Sequence, residues 1–149
     1  MLISTRTSYS IRALYELALN YGIGPVSISY MVEKQQIPET YLEQLLFLLK
    51  GADLVTGIRG INGGYILKRE PEQISLADIL KVTEGEQIIS KCLMTGDTCS
   101  VREVCPAHDI LIEMQDEFFK QMSKISLRDV VDRKKNTLEG ETLIEENLS

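Results

Sequence analysis

The chain has 149 residues, of which 44% are hydrophobic and 26% charged, with a net charge of −6. That length suits one core of ordinary size, with or without an appended helical arm, and excludes two large independent domains, while the composition excludes an intrinsically disordered chain. The acidity is uneven: residues 1–70 carry seven Lys and Arg against six Asp and Glu, and residues 71–149 carry nine against sixteen. The first half is therefore free to meet a polyanion through a few placed bases.

The N-terminus, "MLISTRTSYSIRALYELAL", is polar before its apolar pattern begins and has no small-residue cleavage site, and the longest apolar run is "LLFLL". No signal peptide and no membrane span are expected, so the expected location is cytoplasmic. Disulfides are rare there, and three cysteines leave one over, so the cysteines read first as metal or redox chemistry.

In "SYSIRALYELALNYG" the apolar residues Ile11, Leu14, Tyr15, Ala18 and Leu19 fall on one helical stripe, with Gly22 as a stop. "VSISYMVEKQQIP" predicts a short second helix capped by Ser27 and ending near Gln36, because Pro38 disfavours helix in the residue before it. A third helix is predicted with Pro38 in its first turn, Glu39 suiting its positive end, and Leu42, Leu45, Leu46 and Leu49 as its apolar stripe. Thr40, Glu43, Gln44 and Phe47 are left on other faces. Two short helices across a tight turn, after a supporting helix, form a helix-turn-helix whose second helix can enter the major groove. An ordinary three-helix unit has the same pattern.

"LVTGIRGINGGYIL" adds two β-prone segments, Leu54 to Ile58 and Tyr65 to Leu67, around a loop holding Arg59, Gly60, Asn62, Gly63 and Gly64. Glycines let the loop backbone approach another surface, and the Arg59 fork suits phosphate or the minor groove. Together these segments look like the wing of a winged helix rather than a plain hairpin.

"YLEQLLFLLKGADLVTGIRGINGGYIL" resembles the signature of the IscR/NsrR/CymR family of bacterial winged-helix transcription regulators, and the resemblance runs from residue 1 to about 133. It implies a homodimer on partly palindromic double-stranded operator DNA, with each third helix in the major groove and each wing beside the minor groove. It implies Thr40, Tyr41, Glu43 and Gln44 on the helix, and Arg59 and Gly60 on the wing, as DNA-facing positions. The chemistry agrees: Gln44 can bond adenine bidentately, Glu43 can accept from cytosine, and Tyr41 or Thr40 can hold phosphate.

In the second half, "ISLADILKVTEG" and "ISLRDVVDRK" each place a Ser three residues before an Asp, so Ser75 and Ser126 are expected as helix N-caps, a local device used twice and not a repeat. Between them a helix is expected from about Glu103 to Ile125, the longest of the chain. Its stripe of Leu111, Met114, Phe118, Met122 and Ile125 suits pairing with its own copy. Residues 134–149 read as a flexible acidic tail.

"CLMTGDTCSVREVCPAHD" holds all three cysteines and the single histidine: six residues separate Cys92 from Cys99, five separate Cys99 from Cys105, and two separate Cys105 from His108. Three thiolates and an imidazole can bind tetrahedral zinc, and the irregular spacing is also compatible with an iron-sulfur cluster. Spacing leaves the metal open.

The resemblance sharpens the choice, because the IscR branch of the family holds a [2Fe-2S] cluster on three cysteines and a histidine at this place. Carried over, the ligands are Cys92, Cys99, Cys105 and His108, although the first gap is one residue longer than in that branch. Nitric-oxide-sensing relatives hold a [4Fe-4S] cluster with a carboxylate from the first helix, and here none occurs before Glu16.

The expected fold is mainly α: a winged helix-turn-helix over residues 1–70, a cluster-binding loop and dimerisation helices over 71–133, and the tail. The expected function is an iron-sulfur-cluster-sensing transcription regulator of cluster-assembly or stress genes that catalyses no reaction. Two rivals stand beside it: a small zinc or thiol-redox protein without DNA binding, and a family regulator that works as apoprotein through protein partners.

Overall fold

The structure is a computed structural model that describes residues 3–86, 88, 89, 93 and 99–148, with the side chains of 142–148 excepted. Ser4 caps α1 (Thr5–Leu19), its hydroxyl accepting the Thr7 N–H at 3.3 Å. The buried face of α1 is broader than a single stripe because α3 (Glu39–Gly51), α4 (Leu76–Thr83) and α6 (Leu127–Leu148) all pack on it. Ala13, Leu14, Leu17 and Ala18 enter the core, together with Thr7 and Ser10, while Leu19, expected inside, is 44% exposed.

Ser27 caps α2 (Ile28–Gln35) as expected, its hydroxyl accepting the Tyr30 N–H at 3.2 Å, and Gln36 ends the helix in a left-handed conformation. After a three-residue turn, α3 spans Glu39–Gly51. Pro38 stands just ahead of α3 instead of inside its first turn; it lacks only an N–H, and its carbonyl accepts from Leu42 at 2.9 Å. Leu42, Leu45, Leu46 and Leu49 are all buried, which anchors α3 by the stripe expected of it.

The hairpin pairs β1 (Val55–Ile58) with β2 (Gly64–Leu67) antiparallel, Val55 opposite Leu67 and Ile58 opposite Gly64. The strand bounds differ by one residue from the expected ones; Leu54 still joins the ladder by accepting from the Lys68 N–H at 3.0 Å. A third edge, which the sequence did not reveal, comes from Val26, just before α2: Val26 and Tyr65 exchange two backbone hydrogen bonds of 2.9 Å. Gly64 permits it. A Cβ there would strike the Val26 carbonyl and come within 2.9 Å of Ser27 N.

The two Ser-to-Asp motifs prove to be partners. Ser75 and Ser126 form an antiparallel bridge, with the Leu76 N–H donating to Ile125 O (2.9 Å) and the Leu127 N–H to Ile74 O (2.7 Å). Each serine also opens a helix through reciprocal bonds with the Asp three residues on: Ser75 with Asp78 for α4 (Leu76–Thr83), and Ser126 with Asp129 for α6 (Leu127–Leu148). Leu127 and Val131 pack in the same core as Leu14, Leu46 and Ile79.

The helix expected from Glu103 to Ile125 is shorter. A 3₁₀ turn at Arg102–Val104 precedes it, and α5 runs His108–Ser123, because Pro106 lacks an N–H and holds Cys105 extended (φ −75°, ψ 117°). Ile125, expected on its stripe, belongs to the serine bridge instead. The longest helix is α6, of 22 residues, and it carries the expected flexible tail in helix as far as Leu148. Once α6 is nucleated by its cap, each further residue gains a hydrogen bond at small cost, and Lys135 and Glu139 approach to 3.9 Å one turn apart.

Candidate nucleic-acid interface and cysteine turn

Burying the leucine stripe of α3 turns Thr40, Glu43 and Gln44 outward, all exposed and without a side-chain hydrogen bond among the described residues. Their donors and acceptors are thus free for another molecule. Tyr41 differs: it is half-buried, its ring edge-on to Tyr9 with centroids 5.7 Å apart, and Arg12 stacks on that Tyr9 at 5.0 Å. Packing fixes the Tyr41 ring, and only part of its surface stays available.

Across from α3, Arg59 is exposed with no ion-pair or hydrogen-bond partner among the described residues, and Gly60 takes φ +114°, which only glycine adopts without strain. A groove of about 500 Å³ joins the wing to the starts of α2 and α3. Ser27, Ser29, Lys50, Arg59 and Tyr65 are among its lining residues, and Glu39 is the acidic one. Two cations and the positive end of α2 facing one groove suit a phosphate. Lys50 and Ser29 escaped sequence reasoning because a lysine in a helix's last turn and a serine in a first turn read as ordinary helix-end chemistry.

From Cys99 onward the cysteine segment folds as successive tight turns. Arg102 N–H donates to Cys99 O (3.3 Å), Cys105 N–H to Arg102 O (3.4 Å), and His108 N–H to Cys105 O (3.3 Å), so the run passes directly into α5. Cys99, Cys105 and His108 are half-buried, and both thiols are free. Cys92 lies outside the described residues, and among those described no three donor side chains are gathered around one point. The donor set of soft thiols and an imidazole suits iron-sulfur or zinc chemistry. Glu16, the first carboxylate of α1, is buried and accepts from Gln35 Nε2 at 2.5 Å, which occupies it within the protein.

Two contacts are made by residues that flank this segment in the chain. Gln115, the one buried residue of α5, accepts the Ile88 N–H through Oε1 at 3.0 Å. At the end of α4, Glu84 accepts from the Ser4 backbone N–H (3.1 Å), the Ser4 hydroxyl and the Thr7 hydroxyl, clasping the start of α1. Burial opposes ionisation of Glu84, but these hydrogen bonds and the nearby Arg6 outweigh it and hold the carboxyl below its ordinary range.

The contribution of Glu84 to stability is therefore complete above the ordinary glutamate value and is lost as pH falls through the lowered one. Between about pH 6 and about pH 3 the wild type is expected to lose more stability than Glu84→Gln, as read by denaturant midpoints. Equal losses would show that Glu84 is no latch.

A helix-turn-helix backed by a hairpin wing, with a free polar helix face and an unpaired arginine beside the hairpin loop, defines a winged-helix DNA-binding protein. The chain matches the profile of Rrf2, described as an iron-dependent transcriptional regulator, over residues 3–133, and it belongs to that family. It is 44% identical over 85 residues to the HTH-type transcriptional regulator CymR of Bacillus subtilis, a stretch covering 57% of this chain and 62% of that protein. The solved structure of B. subtilis CymR, the global cysteine regulator, superposes with a TM-score of 0.72 at 32% identity, covering 89% of this chain and 98% of that one. The structure of IscR from T. potens superposes with a TM-score of 0.72 at 31% identity, covering 92% and 90%.

The chain is thus a helix-turn-helix transcription regulator and not an enzyme. Among the described residues no helix is long and apolar enough to cross a membrane.

Proposed function

We propose that this regulator is iron-sulfur responsive and binds operator DNA as a homodimer. The observation that carries the reading is the run of turns through Cys99, Cys105 and His108 that feeds directly into α5. On that helix Ile110 and Met114, four residues apart and so on one face, remain exposed, as expected of a face that a second copy covers. Cys92, Cys99, Cys105 and His108 would hold a [2Fe-2S] cluster, with [4Fe-4S] and zinc as the alternative occupants. The engagement of Glu16 within the protein favours the first over a cluster using an α1 carboxylate.

A bound cluster would supply a centre sensitive to iron supply and oxidation. The protein's own part is positional. Gln115 ties the segment after α4 to α5, and Glu84 ties the end of α4 to α1, so a change in the cysteine turn reaches the helix-turn-helix through both. In a dimer, small changes there alter the spacing of two recognition helices against two half-sites. In this proposal Thr40, Glu43, Gln44 and Arg59 contact DNA, Tyr41 contributes its exposed edge, and Gly60 lets the wing backbone approach.

Residues 1–70 would supply the DNA contacts and 71–133 the cluster and dimer contacts. Iron-sulfur-assembly or stress genes are the proposed targets and the cytoplasm the proposed location.

Selecting bound DNA from a random pool with cluster-loaded and cluster-free protein side by side tests the proposal. Two distinct, salt-sensitive operator sets are expected; one identical set would remove the cluster from control. A second reading, regulation without a cluster, is favoured by the 44% match to CymR and predicts that single set.

A further inference from the structure

Among the five consecutive apolar residues Leu45 to Leu49, Phe47 alone faces solvent: it is 80% exposed, while Leu45, Leu46 and Leu49 are exposed by 2% or less and Leu48 is half-buried. Phe47 lies four residues after Glu43 and three after Gln44, so it shares their face one turn further along α3. A phenyl ring therefore continues the row of polar groups proposed to meet base edges, and Lys50, which lines the cationic groove, follows one turn later on that side.

We propose that Phe47 reads the 5-methyl group of thymine in the major groove and so is a specificity-determining residue of α3. This rests on the reading that α3 enters that groove. The chemistry is direct: in the major groove thymine presents an apolar methyl group, which polar side chains cannot recognise and an aromatic ring can cover. The spacing agrees. One helical turn advances about 5.4 Å and one base pair about 3.4 Å, so Phe47 addresses a base pair one or two steps from that met by Glu43 or Gln44. Where Glu43 is suited to a cytosine amine and Gln44 to adenine, Phe47 adds a preference that needs no hydrogen bond.

The test uses the full chain and an operator obtained by selection, in which each thymine is replaced in turn by deoxyuridine, which lacks only the methyl group. Wild type is expected to lose roughly fourfold in affinity at one thymine per half-site, the effect of one methyl group withdrawn from an apolar contact. Phe47→Ser is expected to bind the thymine and deoxyuridine operators equally, and Phe47→Leu to retain much of the discrimination. The exposure of Phe47 makes both variants compatible with the fold, which thermal midpoints check.

Uniform wild-type affinity across all deoxyuridine substitutions would overturn the proposal, as would undiminished discrimination by Phe47→Ser. A change of oligomeric size in Phe47→Ser with discrimination intact would assign the ring to a protein contact and overturn it too. Failure of wild type to bind any DNA in a salt-dependent manner would instead bring down the operator-binding reading on which it stands.

Discussion

Replacing Cys99 and Cys105 together by serine is expected to abolish uptake of iron and sulfide while leaving the fold intact. Both thiols are free and only half-buried, and neither belongs to the core that joins α1, α3, α4 and α6. Serine keeps their size but removes the thiolate that iron requires. Anaerobic reconstitution followed by iron and sulfide analysis and visible absorption reads the result, with circular dichroism as the check on folding. A double variant that retains a full complement of iron and sulfide would remove both residues from the ligand set. In the same experiment His108→Ala is expected to change the absorption or the retention of the cluster, and a spectrum identical to wild type would make His108 an ordinary residue of the first turn of α5.

The second large effect is expected at Gly64. A Cβ there meets the Val26 carbonyl carbon at 2.5 Å and Ser27 N at 2.9 Å, and its carbonyl oxygen still closer, all of it backbone that no rotamer change can clear. Gly64→Ala must therefore part Val26 from Tyr65, with loss of their two hydrogen bonds, and disturb the neighbouring cap of α2. A destabilisation of about 3 kcal/mol is expected, at the upper end for overpacking, together with weaker operator binding because the wing moves away from α2 and α3. Gly24→Ala is the control, since a Cβ at Gly24 meets nothing within 4 Å. Similar denaturant midpoints for the two variants would refute the close approach.

Both predictions concern positions whose importance the sequence signals unequally. The helix-turn-helix was legible because local chemistry and packing agree: Ser27 caps, Gln36 ends α2, and the leucine stripe of α3 is buried as its spacing demands. The wing was legible from its glycines and β-prone runs, yet the pairing of Val26 with Tyr65 was not, because nothing in a single residue before α2 marks it as a sheet edge. The same limit applies to the serine motifs. Their capping chemistry is local and readable, whereas their mutual bridge is a contact across 51 positions.

The second half misled for physical reasons. Periodicity across Glu103 to Ile125 outweighed Pro106, which sets the true start of α5 two residues later at His108. The tail was judged on its weak periodicity, but a helix already nucleated continues through residues that would not start one. Of the candidate site, the residue types were readable. What the fold adds is their placement: the exposed row on α3, the lysine that joins Arg59 in one groove, and the turns that deliver Cys105 and His108 to α5. Gln115 was hidden because a polar residue among apolar ones reads as surface, and here it is the buried one.

The bridge between Ser75 and Ser126 bears on how such a regulator can be recombined. Leu127 and Val131 sit beside Leu14 and Leu46 in one hydrophobic core, and Ile125 and Leu127, at the entry to α6, complete the hydrogen bonding of Leu76 and Ile74. The reading head is thus closed by a strap that arrives after the whole cysteine segment. A segment exchanged between Gly85 and Ser123 would enter as an insertion, with both flanks held in place by Glu84 and by the serine bridge. The head itself cannot be grafted elsewhere by cutting the chain once, because its last piece would be left behind.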